Sequence, residues 1–381
     1  MIYLDNAATS FPKPKTVIEA VKESLLYGGS AGRSNHKKAK IAENSIYLCR
    51  KQICQMFQAQ NPEQVVFTSN ATMALNLAIK MLSTRFQKFA ISPYEHNSVV
   101  RPLFALRKQG IETTVLESRP FDSLSLLESA EAAAKQGVQV FVLTQVSNVF
   151  GYILPIAQLH EIAAQYQIKI ILDASQAAGI LPLSVLGYPQ IAAVCMPGHK
   201  GLLGPQGTGV LLFRESELYD TWMEGGTGSL SSSLEQPDFL PDRLECGTLN
   251  YHGIAGLSAG LTWIADKGIE QILRHERELS DVLAQGLAAR TDTKIFRPEQ
   301  PEERTGVLSF GHLEIPCEVL ADLLAQHDIC VRAGLHCALL AHQTVGTFES
   351  GTIRLSLGNF NTKEECEQFL NLYDFIVKNP G

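Results

Sequence analysis

The chain has no run of 18 apolar residues, so nothing in it reads as a membrane-spanning helix. Its start, MIYLDNAATSFPKP, lacks a basic segment followed by an apolar one. It does not read as a secretory signal, and a cytoplasmic location is the expectation. No long basic run occurs and the formal net charge is -7, which argues against nucleic acid or an anionic membrane as partner. Eight cysteines are present at 49, 54, 195, 246, 317, 330, 337 and 366, yet no two form a Cys-x-x-Cys pair. A structural zinc or a thioredoxin-like centre is therefore not expected, and no metal site is. In a reducing compartment most of these cysteines should be small buried hydrophobes. Internal repeats and low-complexity tracts are lacking as well.

What is present is an ordinary globular composition, 45% hydrophobic and 19% charged over 381 residues, too long for one small core. Short apolar runs at 65–69, 88–92, 112–117, 138–145, 168–174, 191–196 and 209–214 read as strands. Helical patterns at 71–82, 96–110, 122–136 and 156–167 separate the earlier ones. This alternation predicts an α/β fold with a largely parallel central sheet flanked by helices. After about residue 252 the texture changes to helices at 253–266, 268–289, 317–326 and 362–377, with short strands near 305–310 and 352–357. That reads as a smaller α+β domain. The expected division is a large domain over 15–251 and a small one from 1–14 and 252–381, the N-terminal arm packing with the latter.

Parallel sheets bind ligands beyond the carboxyl ends of their strands, so polar residues there are the candidates. TSNATMA (68–74) leads into a helix whose first free N–H groups could seat a phosphate; alone it is an ordinary N-cap. His96 opens a helix after a strand, and Asn148 follows another. Asp173 ends the strand IKIILDA, where a carboxylate is costly unless satisfied, and Gln176 follows. The stretch CMPGHKGLLGPQGTGVLLF (195–213) holds a single lysine, Lys200, among five glycines. Alone, that lysine could be a solvated turn residue. Paired with Asp173 across one further strand, it suggests a flat cofactor between an amine and a carboxylate. Pyridoxal phosphate needs both: a lysine to bond its aldehyde and an acid to keep its pyridine nitrogen protonated.

YLDNAAT (3–9), EHNS (95–98), the Asn148 turn, DASQAAG (173–179), GHKGLLGPQGTG (198–209), ECGTLN (245–250), RAGLHC (332–337) and TIRLSLGNFNT (352–362) occur in one order. In these motifs the chain resembles the cysteine desulfurase and selenocysteine lyase family, in the class V aminotransferase group of fold-type I pyridoxal phosphate enzymes. The short RAGLHC form is closest to the second of the family's two groups. The resemblance implies that Lys200 bonds the cofactor and that His199 helps to hold it. Asp173 would pair with the pyridine nitrogen, Gln176 would donate to the ring oxygen, and His96 would stack on the ring and serve in proton transfer. Asn148 would contact the cofactor or the substrate carboxylate. Ala71 and Thr72 would seat the phosphate, joined by Thr248 of the other subunit in a homodimer with shared active sites. The family's small polar residue two positions before the His-Lys pair is replaced by Pro197, which offers no donor, with Ser175 and His199 as substitutes.

Cys337 sits where the family places its sulfur-accepting cysteine. Its ordinary reading is a buried structural thiol. The glycines at 334 and 346 allow an irregular loop, and Arg332 and His336 are nearby sources of the positive charge that favours a thiolate. The implied reaction converts L-cysteine to L-alanine and leaves a persulfide on Cys337. Arg354 would clamp the substrate carboxylate, with Arg332 contributing, and a sulfur-accepting partner protein would take the persulfide. Selenocysteine lysis, or another reaction of the same class, is the alternative; a non-enzymatic protein on the same fold is the third reading.

Overall fold

In the computed structural model, which describes residues 1–31, 35–214 and 221–378, the apolar runs of the first half become one seven-stranded sheet. A short strand β1 (Ile2–Tyr3) precedes two helices, α1 (Lys15–Tyr27) and α2 (Lys37–Met56). There follow β2 (Val65–Thr68), α3 (Ala71–Ser83), β3 (Lys88–Ile91), α4 (Asn97–Leu106), β4 (Glu112–Val115), α5 (Ser123–Lys135), β5 (Val140–Thr144), α6 (Ile156–Gln165), β6 (Lys169–Asp173), β7 (Ile191–Pro197) and β8 (Gly209–Phe213). Two long helices, α7 (Tyr251–Lys267) and α8 (Ile269–Ala288), lead to β9 (Thr293–Phe296), β10 (Val307–His312), α9 (Cys317–Gln326), β11 (Ile329–Cys330), β12 (Arg332–Gly334), α10 (Leu339–Val345), β13 (Thr352–Ser356) and α11 (Lys363–Lys378). Among the described residues no helix is long and apolar enough to cross a membrane.

The large sheet runs β2-β8-β7-β6-β5-β3-β4, and β8 alone is antiparallel to its neighbours. Strands β5, β7 and β8 are buried along their whole length, as strands covered by helices on both faces must be. Helices α1 and α2 have no counterpart in the sequence reading. The buried face of α2 is built largely from Ala39, Ala42, Cys49 and Cys54, small residues that leave a faint apolar period. The glycines after β7 serve close backbone packing: a Cβ on Gly201 would lie 2.3 Å from the Ala178 carbonyl oxygen.

A four-stranded antiparallel sheet, β12-β13-β10-β9, lies under α8, α9 and α11. Its core runs from Leu279 to Ile376 and takes in Ile2 and Leu4 of the arm, whose β1 pairs in parallel with β11. Helix α7 instead buries Ile254, Leu257, Leu261 and Ile264 in the core of the large sheet, and Ile272 of α8 joins them. The two cores therefore change over within α8, between Ile272 and Leu279, whereas the sequence texture changes near residue 252.

The loop before α7 is fastened by a buried ion pair. Arg50 of α2 meets Glu245 through two nearly parallel bonds of 2.9 and 2.5 Å, with both side chains at least nine-tenths buried. Glu245 also accepts the Phe67 N–H of β2, and Arg50 donates to the Val65 carbonyl. Removing one member strands a buried charge. Glu245→Ala should lower unfolding stability by about 3–5 kcal/mol, while Arg50→Met with Glu245→Leu should lose clearly less. Urea unfolding midpoints of the three proteins test this ordering.

Candidate active site

The carboxyl edge of the large sheet gathers the polar strand ends into one cleft. Asn70 caps α3 by accepting the Met73 N–H at 2.9 Å, which leaves the N–H groups of Ala71 and Thr72 without helical partners. His96 caps α4: its Nδ1 lies 3.0 Å from the Ser98 N–H. A backbone N–H can only donate, so Nδ1 is the acceptor and the neutral ring carries its proton on Nε2. Ser98 Oγ is 2.9 Å from that same Nδ1 and 2.8 Å from Thr72 Oγ1, which links the starts of α3 and α4. Asp173 ends β6 and accepts the Ser175 N–H at 2.9 Å. The chain leaves β7 at Pro197 and turns through His199 and Lys200. Ala71, Thr72, His96, Asn148, Asp173, Ser175, Gln176, Pro197, His199 and Lys200 all line this cleft.

Its electrostatics are those of a dry, cationic pocket. Burial pulls the Lys200 amine down to about 8, and the Asp173 carboxylate opposes that pull. Burial pushes Asp173 above its usual range, against the Ser175 hydrogen bonds and the Lys200 charge. His96 is held down to about 4, first by burial and then by Lys200, Arg332, Arg101 and Arg354. His199 falls to about 4 by burial and the two lysines beside it, and its Nδ1 is buried without a partner. A neutral base, an amine that can shed its proton near neutrality and a surplus of cations suit an anionic ring compound. The orphaned His199 nitrogen, the open N–H groups of α3 and the buried Asp173 carboxylate all fit pyridoxal phosphate.

The second wall comes from the small sheet. Of the eight cysteines, all free thiols, five are buried, Cys246 and Cys330 are half-buried, and Cys337 is exposed. The Cys337 carbonyl accepts the Asn97 N–H at 2.7 Å, and the preceding His336 carbonyl accepts from Asn148 Nδ2 at 2.8 Å. Both bonds fasten the thiol-bearing loop to the cleft. Arg332 Nη2 lies 3.9 Å from Cys337 Sγ and supplies a cation beside it. His336 does not, contrary to the sequence reading. Burial first, then the Arg354 charge, presses it to about 2, so it is neutral.

Arg354, almost wholly buried, lies between Asp5 Oδ1 at 2.7 Å and the Asn148 carbonyl at 3.0 Å, and its Nε has no partner. It is thus already ion-paired rather than an open clamp. Gln176 donates to the Ala7 carbonyl at 3.0 Å, so the donor assigned to a ring oxygen is engaged with the arm. Thr248 lies away from this cleft, in a groove with Gly28, Tyr47, Arg50 and Tyr251. The sequence reading missed Ser98 and Asp5, although both stand within the motifs EHNS and YLDNAAT. It also missed Glu95, a fully buried carboxyl that accepts from Ser92 Oγ and the Thr144 N–H and is pushed up to about 8 by burial.

Comparison with known proteins agrees with this geometry. The aminotransferase class-V family matches residues 2–369. A probable cysteine desulfurase of Pyrococcus abyssi is 31% identical, over 99% of this chain and 94% of its own. The apo structure of a cysteine desulfurase from Thermococcus onnurineus superposes with a TM-score of 0.93 at 32% identity, covering 99% of this chain and 94% of that one. The cysteine desulfurase CsdA of Escherichia coli, in its S-sulfonic acid form, superposes at 0.88 with 27% identity, covering 99% and 94%. The large parallel sheet, the cleft at its carboxyl edge and these full-length matches establish that the chain belongs to the aminotransferase class-V family, among its cysteine desulfurases.

Proposed function

We propose that this protein is a pyridoxal phosphate-dependent cysteine desulfurase that moves sulfur from L-cysteine onto Cys337 and releases L-alanine. The observation that carries the reading is the placement of Cys337. It is the exposed thiol of the eight, and hydrogen bonds through Asn97 and Asn148 fix its loop against the cleft that holds Lys200. Lys200 would hold the cofactor, with Asp173 at its ring nitrogen, His96 on its face, and Ala71, Thr72 and Ser98 around its phosphate. When bound, the cofactor supplies an electron sink for the substrate's α-carbon. The half-buried amine of Lys200, uncharged in part at neutral pH, takes the α-proton. Arg354 and Arg332 offer the positive charge for the substrate carboxylate. The Cys337 thiolate then attacks the substrate sulfur. A new S–S bond forms, the Cβ–S bond breaks and its electron pair stays on the β-carbon, which takes up a proton; return of the α-proton from Lys200 to the α-carbon then completes alanine.

The same reading makes the protein a cytoplasmic homodimer with a sulfur-accepting protein partner. Thr248 supports the dimer: it lies outside its own chain's cleft, in a groove beside Leu25 and Tyr47, which are 62% and 49% exposed. Covering such apolar side chains with a second copy would bring Thr248 to the partner's phosphate seat. The division into a large domain and a smaller one that includes the arm belongs to this proposal too, with the boundary placed inside α8.

Cys337→Ser should keep the visible absorbance of the bound cofactor and drop alanine release from L-cysteine to background, with no persulfide on the 337 peptide by mass spectrometry. Retained activity on selenocysteine alone would mark a dual enzyme, and unchanged activity on both amino acids would refute the persulfide step. Lys200→Ala should stay colourless in that band.

Cofactor uptake should follow the free amine. The fraction of uncharged Lys200 rises as pH passes about 8, so the rate of colour gain by cofactor-free protein should rise through that pH rather than near the ordinary lysine value. Asp173 holds the proton on Lys200, so Asp173→Asn should move the midpoint lower. A midpoint unmoved by that substitution would separate the two groups.

A further inference from the structure

We infer that His336 is a positioning residue that sets the Cys337 thiol by tying its loop to the strand bearing Arg354. The inference deepens the cysteine desulfurase reading and rests on it. Between β12 and α10 the backbone enters the left-handed region at two consecutive residues with side chains, His336 at φ +48° and Cys337 at φ +59°. Such a residue is strained and persists only where its surroundings force it. The chain does use glycine for this conformation nearby, at Gly334 and Gly346. At 336 it keeps an imidazole where glycine would relieve the strain, so the ring itself must contribute.

What the ring does follows from its bonds. Nε2 lies 3.1 Å from the Thr352 carbonyl oxygen and 3.2 Å from the Thr352 hydroxyl. A carbonyl only accepts, so Nε2 donates, and Nδ1 keeps a lone pair that is buried without a partner. The ring lies nearly parallel to His342, with centroids 5.7 Å apart, and His342 is held by Thr347 at 2.8 Å and packs on Phe150. Thr352 begins β13, two residues before Arg354. The His336 carbonyl is taken by Asn148, whose own carbonyl accepts from Arg354. Through ring and backbone together, His336 closes a circuit linking the thiol loop, Asn148 and the guanidinium. The position of the sulfur acceptor relative to the Arg354 guanidinium is thereby fixed. Burial first, and then the Arg354 charge, keep the ring neutral.

The test compares holoenzymes of the wild type, Cys337→Ser, His336→Gly and His336→Gln by cofactor absorbance, KM for L-cysteine and kcat for alanine. His336→Gly should keep the absorbance and a KM within about threefold, while kcat falls at least about tenfold. His336→Gln, whose amide can still donate to the Thr352 carbonyl, should recover kcat to within about threefold of wild type. A glycine variant as fast as the glutamine one would overturn the inference, because relief of strain would then outweigh the ring. If the glycine protein does not fold, the glutamine one decides: a kcat below about one-tenth of wild type overturns the assignment. Turnover that survives in Cys337→Ser would instead remove the cysteine desulfurase reading, and this inference with it.

Discussion

A carboxylate buried at the end of a central strand and a half-buried lysine in the same cleft hold each other in usable states. Strand β6 is the middle strand of the large sheet, so Asp173 cannot reach solvent and burial drives it toward the neutral acid. The Ser175 hydrogen bonds and the charge on Lys200 work against that. Lys200 in turn is driven toward the neutral amine, and Asp173 restrains it near 8. Removed from this pairing, the acid would lose the charge that a ring nitrogen needs. The amine would lose the balance that lets it both bond an aldehyde and carry a proton. Neither residue could do this from a surface loop, which is why the chemistry depends on a sheet wide enough to bury a strand end on every side.

The parts legible in the sequence are those that local pattern determines. Short apolar runs bounded by turn residues gave the strands of the large sheet to within a residue or two, and α9 occupies the range read for it. Lys200, Asp173, His96 and Asn148 stand out in the sequence because each ends or follows a strand, and strand ends in such sheets converge. What pattern cannot carry is contact between distant segments. Arg354 reads as a free clamp until Asp5, 349 residues away, is found on its guanidinium. Burial is hidden in the same way. His336 beside a cysteine looks like a source of charge, and only its enclosure by Thr352, His342 and Arg354 shows that it is neutral. The faint period of α2 is a third case, since alanine and cysteine mark a buried face weakly.

The N-terminal arm shows how much such contacts matter. Four donors converge on the single carbonyl oxygen of His199, the residue before the lysine: Thr9 Oγ1 at 3.1 Å, Ser10 Oγ at 3.2 Å, the Ser10 N–H at 3.1 Å and Lys13 Nζ at 2.8 Å. The same arm pairs with β11, accepts from Arg354 through Asp5 and receives Gln176 on the Ala7 carbonyl. It is a strap that touches both sheets and fastens the Lys200 turn from outside. Burial lowers the Lys13 amine to about 8, so even this support has an ammonium whose desolvation is offset by the polarised carbonyl it meets.

Proline at 197 is consistent with this arrangement rather than damaging to it. Pro197 is the last residue of β7, opposite Gly209 of β8, so the missing N–H falls at the end of the ladder and Gly198 resumes it by donating to Thr208. Side-chain donors for an anion are available on the other rim of the cleft. Thr72 and Ser98 stand within 2.8 Å of each other on the first turns of α3 and α4, and Ser98 also reaches the His96 ring. A phosphate at the start of α3 would accept from the Thr72 hydroxyl and the first N–H groups of the helix, while Ser98 can turn its proton to the phosphate or to Nδ1. Hydroxyls that rotate can serve the His96 ring and a bound anion in turn, whereas a donor fixed at 197 would serve an anion alone. A seat of this kind would be built from two helix starts, and its integrity would depend on the packing of α3 against α4.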